Sequence, residues 1–164
     1  MMKIKRLVPS LLVLCLALVA LAHDGTRGMA EATINGKKLA VDYGRPALKG
    51  RDLMELAKVG IEWRLGMDAA TTLDSTADLV VGGKELKAGK YILKVKRAAA
   101  DSWLLTFRPA GGATGEPVAE TPLKLEKASS PSEQLTITLS DKQGAAGIDI
   151  HWGTWLLTGS FGVK

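Results

Sequence analysis

The chain has 164 residues, of which 22 are Lys or Arg and 17 are Asp or Glu, so its formal net charge at pH 7 is +5. This length is enough for one domain with a single buried core. The basic residues form no long run, which argues against a nucleic-acid partner.

The first residues have the composition of a secretory signal peptide. Three basic residues precede a nearly all-apolar run at 7–21, which ends in the small-x-small cleavage site Ala20-Leu21-Ala22. The alternative, an uncleaved membrane anchor, needs about 20 apolar residues, and this run is shorter. We therefore predict a signal peptide at 1–22 and a single domain at 23–164. We expect export to the periplasm or the cell exterior, with no membrane span after cleavage.

Cleavage after Ala22 changes the chemistry that is available to the domain. Three basic residues and no acids lie in the signal, which leaves 19 basic against 17 acidic residues and a formal net charge of +2. The only cysteine, Cys15, also leaves, which excludes disulfides, thiolate catalysis and cysteine zinc sites. Export without disulfides is compatible with a bacterial periplasm.

Beyond the signal, apolar and polar residues alternate in most segments. Asn35-Gly36 is a strong hairpin signal. The alternating sets are Leu39, Val41 and Tyr43; Tyr91, Leu93 and Val95; Trp103, Leu105 and Phe107; Leu123 and Leu125; Leu135, Ile137 and Leu139; Ile148, Ile150 and Trp152; and Trp155, Leu157, Phe161 and Val163. About eight short strands separated by turns predict an all-β fold, an antiparallel and jelly-roll-like β-sandwich.

One short helix is expected to interrupt the strands. Asp52 is suited to cap it, Glu55 completes a capping box three residues later, and Gly60 suits its end. This spacing predicts a helix of about two turns.

The stretch from Asp42 to Thr72 is the best candidate for a ligand site, because it gathers charged and aromatic residues beside turns. Its arginines offer rigid donor forks that match a carboxylate or phosphate. Its acids can orient the arginines, and its aromatic rings can wall a cleft. The predicted ligand-binding residues are Asp42, Tyr43, Arg45, Arg51, Glu62, Trp63 and Arg64. The alternative interpretation is a structural network of ion pairs, since such networks also gather charges.

The motifs of this stretch also carry a family resemblance. Val41-Asp42-Tyr43-Gly44-Arg45-Pro46, Leu48-Lys49-Gly50-Arg51 and Trp63-Arg64-Leu65-Gly66 resemble the hallmark of the bacterial family called domain of unknown function 2911. The resemblance covers most of the mature chain, and it implies an exported, β-rich domain of no known activity. Where family members often read Gly-Ala-Asn-Glu-Ala-Thr, the segment Gly66–Thr71 has Ala69 in place of the expected acid.

A metal site is the main binding alternative. After cleavage the chain would begin at His23, whose free amine and ring nitrogen can chelate one metal ion. Asp149 and His151 are two residues apart on a predicted strand, so they share a face. An N-terminal histidine with Asp-x-His resembles the Cu(II) site of periplasmic copper carriers, and these ligands suit Cu(II). A copper site at these three residues is thus the alternative to a protein without a cofactor.

Sequence signatures of conventional catalysis are missing. No Gly-x-Ser-x-Gly elbow, P-loop or dinucleotide fingerprint occurs. A hydrolase acting on an envelope polymer would need two carboxylates in an open cleft, for which Glu62 and Asp68 are the candidates. The sequence therefore favours a non-enzymatic binding or accessory protein of the cell envelope. Its expected partner is a small anionic or polar ligand or an envelope component.

Overall fold

A computed structural model describes residues 27–111 and 115–164. The predicted signal peptide and His23 lie outside these residues. The described residues form ten strands and one helix. In chain order they are β1 (Arg27–Ile34), β2 (Lys37–Gly44), α1 (Leu53–Leu56), β3 (Glu62–Arg64), β4 (Thr72–Ser75), β5 (Leu79–Val81), β6 (Lys84–Leu86), β7 (Gly89–Ala99), β8 (Ser102–Pro109), β9 (Ala119–Lys142) and β10 (Ala145–Val163).

β1 and β2 form a hairpin because their two turn residues adopt left-handed backbone conformations. Asn35 and Gly36 have φ angles of 50° and 76°, as a two-residue hairpin turn requires. The hairpin predicted from Asn35-Gly36 is confirmed. The other strand pairings in the described chain are antiparallel too. The predicted all-β fold with one short helix is therefore confirmed.

β9 is the strand on which the sheet bends. The sheet runs in the order β1-β2-β4-β7-β8-β9-β10-β5-β6, with β3 paired to β7. Residues 119–123 of β9 pair with β8, whereas residues 124–142 pair with β10 on the other edge. Phe107 of β8 nevertheless meets Phe161 of β10, with ring centroids 5.4 Å apart. The two halves of the sheet therefore face each other as two layers around one core.

The core contains most of the residues that alternation predicted to point inward, but Leu125 is 37% exposed and the prediction is wrong there. Trp103, Leu93 and Leu105 are at most 2% exposed on one layer, and Ile148 and Ile150 are equally buried on the other. Side chains at alternate positions of a strand share a face, so a period of two in the sequence becomes one apolar layer surface. This is why sequence periodicity alone was sufficient to assign the core face of most strands.

β9 and β10 are longer than expected, because bulges join segments that the alternation separates. On β10, Ile150 and Trp152 face the core, and Gly153 then adopts a φ of 57° that shifts the phase. Leu157 therefore also faces the core, although it lies an odd number of residues after Trp152. On β9, two register shifts opposite Gly153 leave extra residues between Lys127 and Thr136. Two pairs of predicted strands are thus two long, bulged strands.

α1 is shorter than the expected two turns. Asp52 caps it as predicted, since its carboxylate accepts a hydrogen bond from Met54 N–H at 2.8 Å. The backbone leaves the helical region at Ala57, and Gly60 N–H then donates to Arg97 O of β7 at 2.8 Å. Attachment to β7 therefore ends the helix after one turn. No helix in the described part of the chain has the length and apolar character needed to cross a membrane.

The conformation and packing of Gly153 predict that a side chain at this position destabilises the protein. A Cβ added there would lie 3.2 Å from Leu48 and 3.3 Å from Leu53, and it would be attached to a left-handed backbone. We expect Gly153→Ala to lower the free energy of unfolding by about 1–2 kcal/mol, measured by urea denaturation. Gly111→Ala is the control, because its Cβ would meet no atom of a described residue within 4 Å. Equal losses of stability for the two substitutions would contradict the conclusion that the bulge requires glycine at position 153.

Candidate functional site

Residues 43–48 cover the edge of β9 that β8 leaves unpaired. Leu135 N–H donates to Pro46 O at 3.1 Å, and Leu48 N–H donates to Glu133 O at 2.7 Å. These bonds form an antiparallel bridge on the side of β9 opposite β10. Uncovered strand edges expose unpaired N–H and C=O groups that promote association with other chains. Residues 43–48 thus supply backbone hydrogen bonds that β9 would otherwise lack on this edge.

Two predicted ligand-binding side chains extend this cover. Tyr43 Oη donates to Ile137 O at 3.3 Å, and Arg45 Nε donates to Leu135 O at 3.3 Å. Arg45 Nη2 also lies 3.5 Å from Thr136 Oγ1. Tyr43 is only 4% exposed, so it lies in the core and not along an open cleft. Both side chains bond to β9 where strand partners are missing.

Arg51 is held by the turn that precedes α1. Lys49 and Gly50 have φ angles of 49° and 69°, and the turn closes with Arg51 N–H donating to Leu48 O at 3.0 Å. Arg51 Nε donates to the same carbonyl at 3.0 Å, and Nη2 donates to Ala47 O. Its Nη1 makes no hydrogen bond to a described residue. The guanidinium is therefore held in place by two of its nitrogens, and the N–H groups of Nη1 can still donate to a ligand.

The Arg51 guanidinium also lies above a stack of two tryptophans. It is 5.2 Å from the centroid of the Trp152 ring, within the range of a cation–π interaction. Trp152 stacks on Trp63 with centroids 5.7 Å apart and an interplanar angle of 7°. The indole N–H of Trp152 donates to Glu133 O at 3.3 Å. Trp63 thus uses one ring face for packing, although it was the tryptophan favoured for ligand contact.

A small cavity under α1 is a packing gap. Its volume is about 10 Å³, and it is lined by Leu53, Leu56, Ala57, Trp63, Ile150, Trp152, Trp155 and Leu157. This volume is roughly what one water molecule needs, and a water also needs two or more polar partners. The apolar lining offers no such set, so the cavity is too small and too apolar to be a ligand site.

Glu62 forms an ion pair with Arg108 on the outer face of the sheet. Arg108 Nη1 lies 2.6 Å from Glu62 Oε1, and Thr106 Oγ1 donates to the same oxygen at 2.7 Å. Lys94 Nζ lies 3.4 Å from Oε2. The side chains of Arg108 and Glu62 are 8% and 20% exposed, and Arg108 Nε donates to Gly115 O at 2.7 Å. The pair therefore ties β3 to β8 and to the loop that follows β8.

The surroundings of Glu62 keep it ionised. Burial by itself would raise the pKa of this carboxyl group. Hydrogen bonds from Thr106 and Arg108, together with the charges of Arg108 and Lys94, outweigh burial and lower the pKa below its usual value. A general acid needs a raised pKa, so this carboxylate is poorly suited to that role.

The remaining predicted residues do not converge on one place. Asp42 pairs with Arg27 of β1, with 2.6 Å between Oδ1 and Nη2. Arg64 is exposed opposite Lys94 of β7, and its side chain makes no hydrogen bond or ion pair with a described residue. Because neighbouring residues of a strand face opposite sides, Trp63 points to the core and Arg64 points away from it. The seven predicted residues therefore do not form one site, although two pairs of them are close: Tyr43 and Arg45 both bond to β9, and Arg51 and Trp63 both contact Trp152.

An open cleft lies beside the covered edge of β9. Its volume is about 550 Å³, and it is lined by Pro46, Ala47, Lys49, Arg51 and Met67. Two of these residues are cationic and none is acidic. All five belong to the stretch that the sequence indicated, although only Arg51 was among the predicted ligand-binding residues.

Comparison with known proteins gives the family. The family model described as "Protein of unknown function (DUF2911)" matches residues 26–159. The chain belongs to this family. The searches of curated proteins and of solved structures found no match. The family resemblance inferred from the sequence motifs is thereby confirmed.

In this DUF2911 protein, Asp149 and His151 share the outer face of β10, as the sequence predicted. Asp149 Oδ1 lies 3.8 Å from Lys142 Nζ, and His151 Nε2 lies 3.1 Å from Ser130 O. Within residues 27–111 and 115–164, no group of three or more His, Cys, Asp or Glu side chains is placed to hold a metal ion. His23 is outside these residues, so the copper site stays a prediction.

Sequence reasoning missed the partners of both acids in the DUF2911 stretch. Arg27 pairs with Asp42 from 15 positions before it, and Arg108 pairs with Glu62 from 46 positions after it. The only signal for Arg108 was a charged residue just before the end of an apolar strand. The Asn35-Gly36 turn fixes the register that brings Arg27 near Asp42, so that pair could have been found from the hairpin. The Glu62–Arg108 pair depends on the register of β3 and β8 against β7, which the sequence does not specify at this distance.

The contribution of the Glu62–Arg108 ion pair to stability should depend on pH. We expect Glu62→Gln to lower the free energy of unfolding at neutral pH by about 2 kcal/mol, since it leaves a buried guanidinium without its counter-charge. The folded-state pKa of Glu62 is lowered. Wild type therefore has the full contribution above the usual glutamate pKa of about 4.3 and loses it as pH falls through the lower folded-state pKa. Urea unfolding should show that the free energies of unfolding of the wild-type protein and of Glu62→Gln differ at neutral pH, and that this difference becomes smaller in acid.

Glu55→Gln is the matched control for this measurement. Glu55 is 73% exposed and lies 3.5 Å from Lys58, which is also exposed. Exposed pairs of this kind contribute little to stability, so we expect no comparable loss at either pH. A gap for Glu62→Gln that stays constant in acid would contradict the assigned ion pair.

Proposed function

We propose that this DUF2911 protein is an exported binding or accessory protein of the cell envelope that holds a small anionic or polar ligand in the cleft beside the β9 edge. Export rests on the signal peptide predicted at 1–22. The observation that carries the ligand proposal is the lining of the cleft, where Lys49 and Arg51 stand among apolar residues. Ligand sites commonly combine an apolar wall with a few charged groups that fix orientation.

Arg51 is suited to the role of a preorganised donor. Its hydrogen bonds to Leu48 O and Ala47 O, together with its position over Trp152, fix the guanidinium before a ligand arrives. A side chain that is already ordered loses little conformational entropy on binding. The remaining N–H groups of Arg51 match the oxygens of a carboxylate or phosphate.

Lys49 supplies a second positive charge two residues away. Its backbone N–H donates to Glu133 Oε1 at 2.9 Å, so one carboxylate lies close to the two cations. This carboxylate offsets part of the positive charge of the cleft. We therefore favour a ligand with a single anionic group over a polyanion.

We propose binding in preference to hydrolysis. Of the two carboxylates considered for hydrolysis, Glu62 accepts hydrogen bonds from Arg108 and Thr106. Asp68 lies on an exposed turn with a φ of 58°. Neither residue lines the cleft of Lys49 and Arg51. The cleft thus offers two cations to a ligand, but its lining contains no pair of carboxylates that could catalyse hydrolysis.

The test is calorimetric titration of the chain that begins at His23 with acetate and with inorganic phosphate at low salt. We expect Lys49→Gln to raise the Kd of the bound anion about tenfold, since one charge-assisted hydrogen bond is lost. Arg51 is left intact in this test because it also holds the turn before α1.

Lys37→Gln is the matched control, because Lys37 is an exposed lysine at the start of β2. We expect its Kd to equal that of the wild-type protein. Heats that are absent with both anions, or an equal Kd for the two variants, would contradict the proposed ligand site.

A further inference from the structure

The segment 54–61 exposes three apolar side chains close together in the sequence. Met54, Val59 and Ile61 are 43%, 53% and 55% exposed. Residues 58–61 are four consecutive exposed residues, so the chain projects here as a turn. We refer to residues 54–61 as the tip. Single exposed apolar residues are common on protein surfaces, but a cluster of them marks an interaction surface.

The tip is a fixed part of the structure. Ala57 is 2% exposed and anchors the segment in the core. Ile61 N–H donates to Lys58 O at 3.1 Å, and Gly60 N–H donates to Arg97 O at 2.8 Å. The exposed side chains are therefore presented by an ordered turn, and contact with a partner would require little further ordering.

Cationic side chains stand among the apolar ones. Lys58 lies between Ala57 and Val59 in the tip and is exposed. Arg97 Nη1 lies 3.9 Å from Met54 Sδ, while Arg97 Nε and Nη2 donate to Ala100 O. Arg97 makes no ion pair with an acidic residue in the described part of the chain. Lys58 lies 3.5 Å from Glu55 of the same segment, so Arg97 is the cation at the tip that has no acidic partner among the described residues.

We propose that the tip docks onto an anionic lipid surface. Apolar side chains on a projecting turn can enter the acyl boundary, while neighbouring cations bind lipid phosphates and keep their charge among the headgroups. Each cation near such a surface adds attraction that salt screens. The proposal uses the side chains of the tip and Arg97, and it does not depend on the ligand cleft of Lys49 and Arg51.

A lipid surface fits the tip better than a protein partner does. The exposed apolar side chains are three residues of one short segment, whereas a stable protein interface needs roughly 800 Å² of matched surface on each partner. The tip itself contains one acid, Glu55, which lies 3.5 Å from Lys58, and Asp101 lies on the β7–β8 turn that follows Arg97. The negative charge of Glu55 weakens attraction to an anionic surface. Removing this charge by Glu55→Gln should therefore increase binding.

The experiment is co-sedimentation of the chain that begins at His23 with vesicles of phosphatidylethanolamine and phosphatidylglycerol, compared with vesicles of phosphatidylcholine alone. This chain contains all ten described strands and lacks the apolar run at 7–21, which would bind lipid by itself. We expect preferential binding to the phosphatidylglycerol vesicles, weakened by added salt. Val59→Ser combined with Ile61→Ser should lower the partition coefficient by at least about tenfold. Glu55→Gln should raise it about fivefold.

The matched control is Met29→Ser combined with Val118→Ser, because these residues are 50% and 37% exposed outside the tip. We expect the control to bind like the wild-type protein. Equal losses for the two double variants, or equal binding to both kinds of vesicle, would overturn the proposal. Binding to neither vesicle would also overturn it, and would leave a protein as the partner for the same side chains. Circular dichroism of each variant checks that its strands remain folded.

Discussion

The hydrogen bonds between residues 43–48 and β9 are the constraint on which the rest of the structure depends. β9 exchanges β8 for β10 as the sheet bends, and its second half would otherwise keep one open edge. Pro46 O and Leu48 N–H pair with this edge through backbone atoms. Tyr43 and Arg45 pair with it through side chains. One short segment thus closes the edge and joins the hairpin of β1 and β2 to the second layer.

This constraint accounts for the chemistry of the Tyr43–Pro46 motif. A tyrosine hydroxyl and a guanidinium can reach strand carbonyls from outside the regular ladder, and proline lacks an N–H that would remain unpaired at an edge. Gly44 lies so close to the backbone of Met67 that a Cβ would collide with it. Tyr43, Gly44, Arg45 and Pro46 therefore have structural roles. The proposed ligand cleft uses another part of the stretch, the end of Arg51 and the turn at Lys49.

Much of the fold could be predicted from the sequence, because alternation, Asn35-Gly36 and the Asp52 cap are local signals. The length of β10 could not be predicted, since the bulge at Gly153 depends on packing against α1 and the preceding loop. The proposed cleft lies within the stretch that the sequence indicated, but of its lining residues only Arg51 was among those predicted to bind a ligand. Glu62 bonds to Arg108 because antiparallel register brings β3 and β8 to β7, and register at this separation is a property of the whole sheet.

Hydrogen exchange at the covered edge tests the central claim most directly. We expect the amides of Leu48 and Leu135 to exchange as slowly as ladder amides of β9 in the wild-type protein. Arg45→Met keeps the aliphatic stem but removes the donor to Leu135 O, and it should speed exchange at both amides about tenfold. The hairpin turn at Asn35 should be unaffected. Rapid exchange at these amides in the wild-type protein, or unchanged exchange in the variant, would contradict the account.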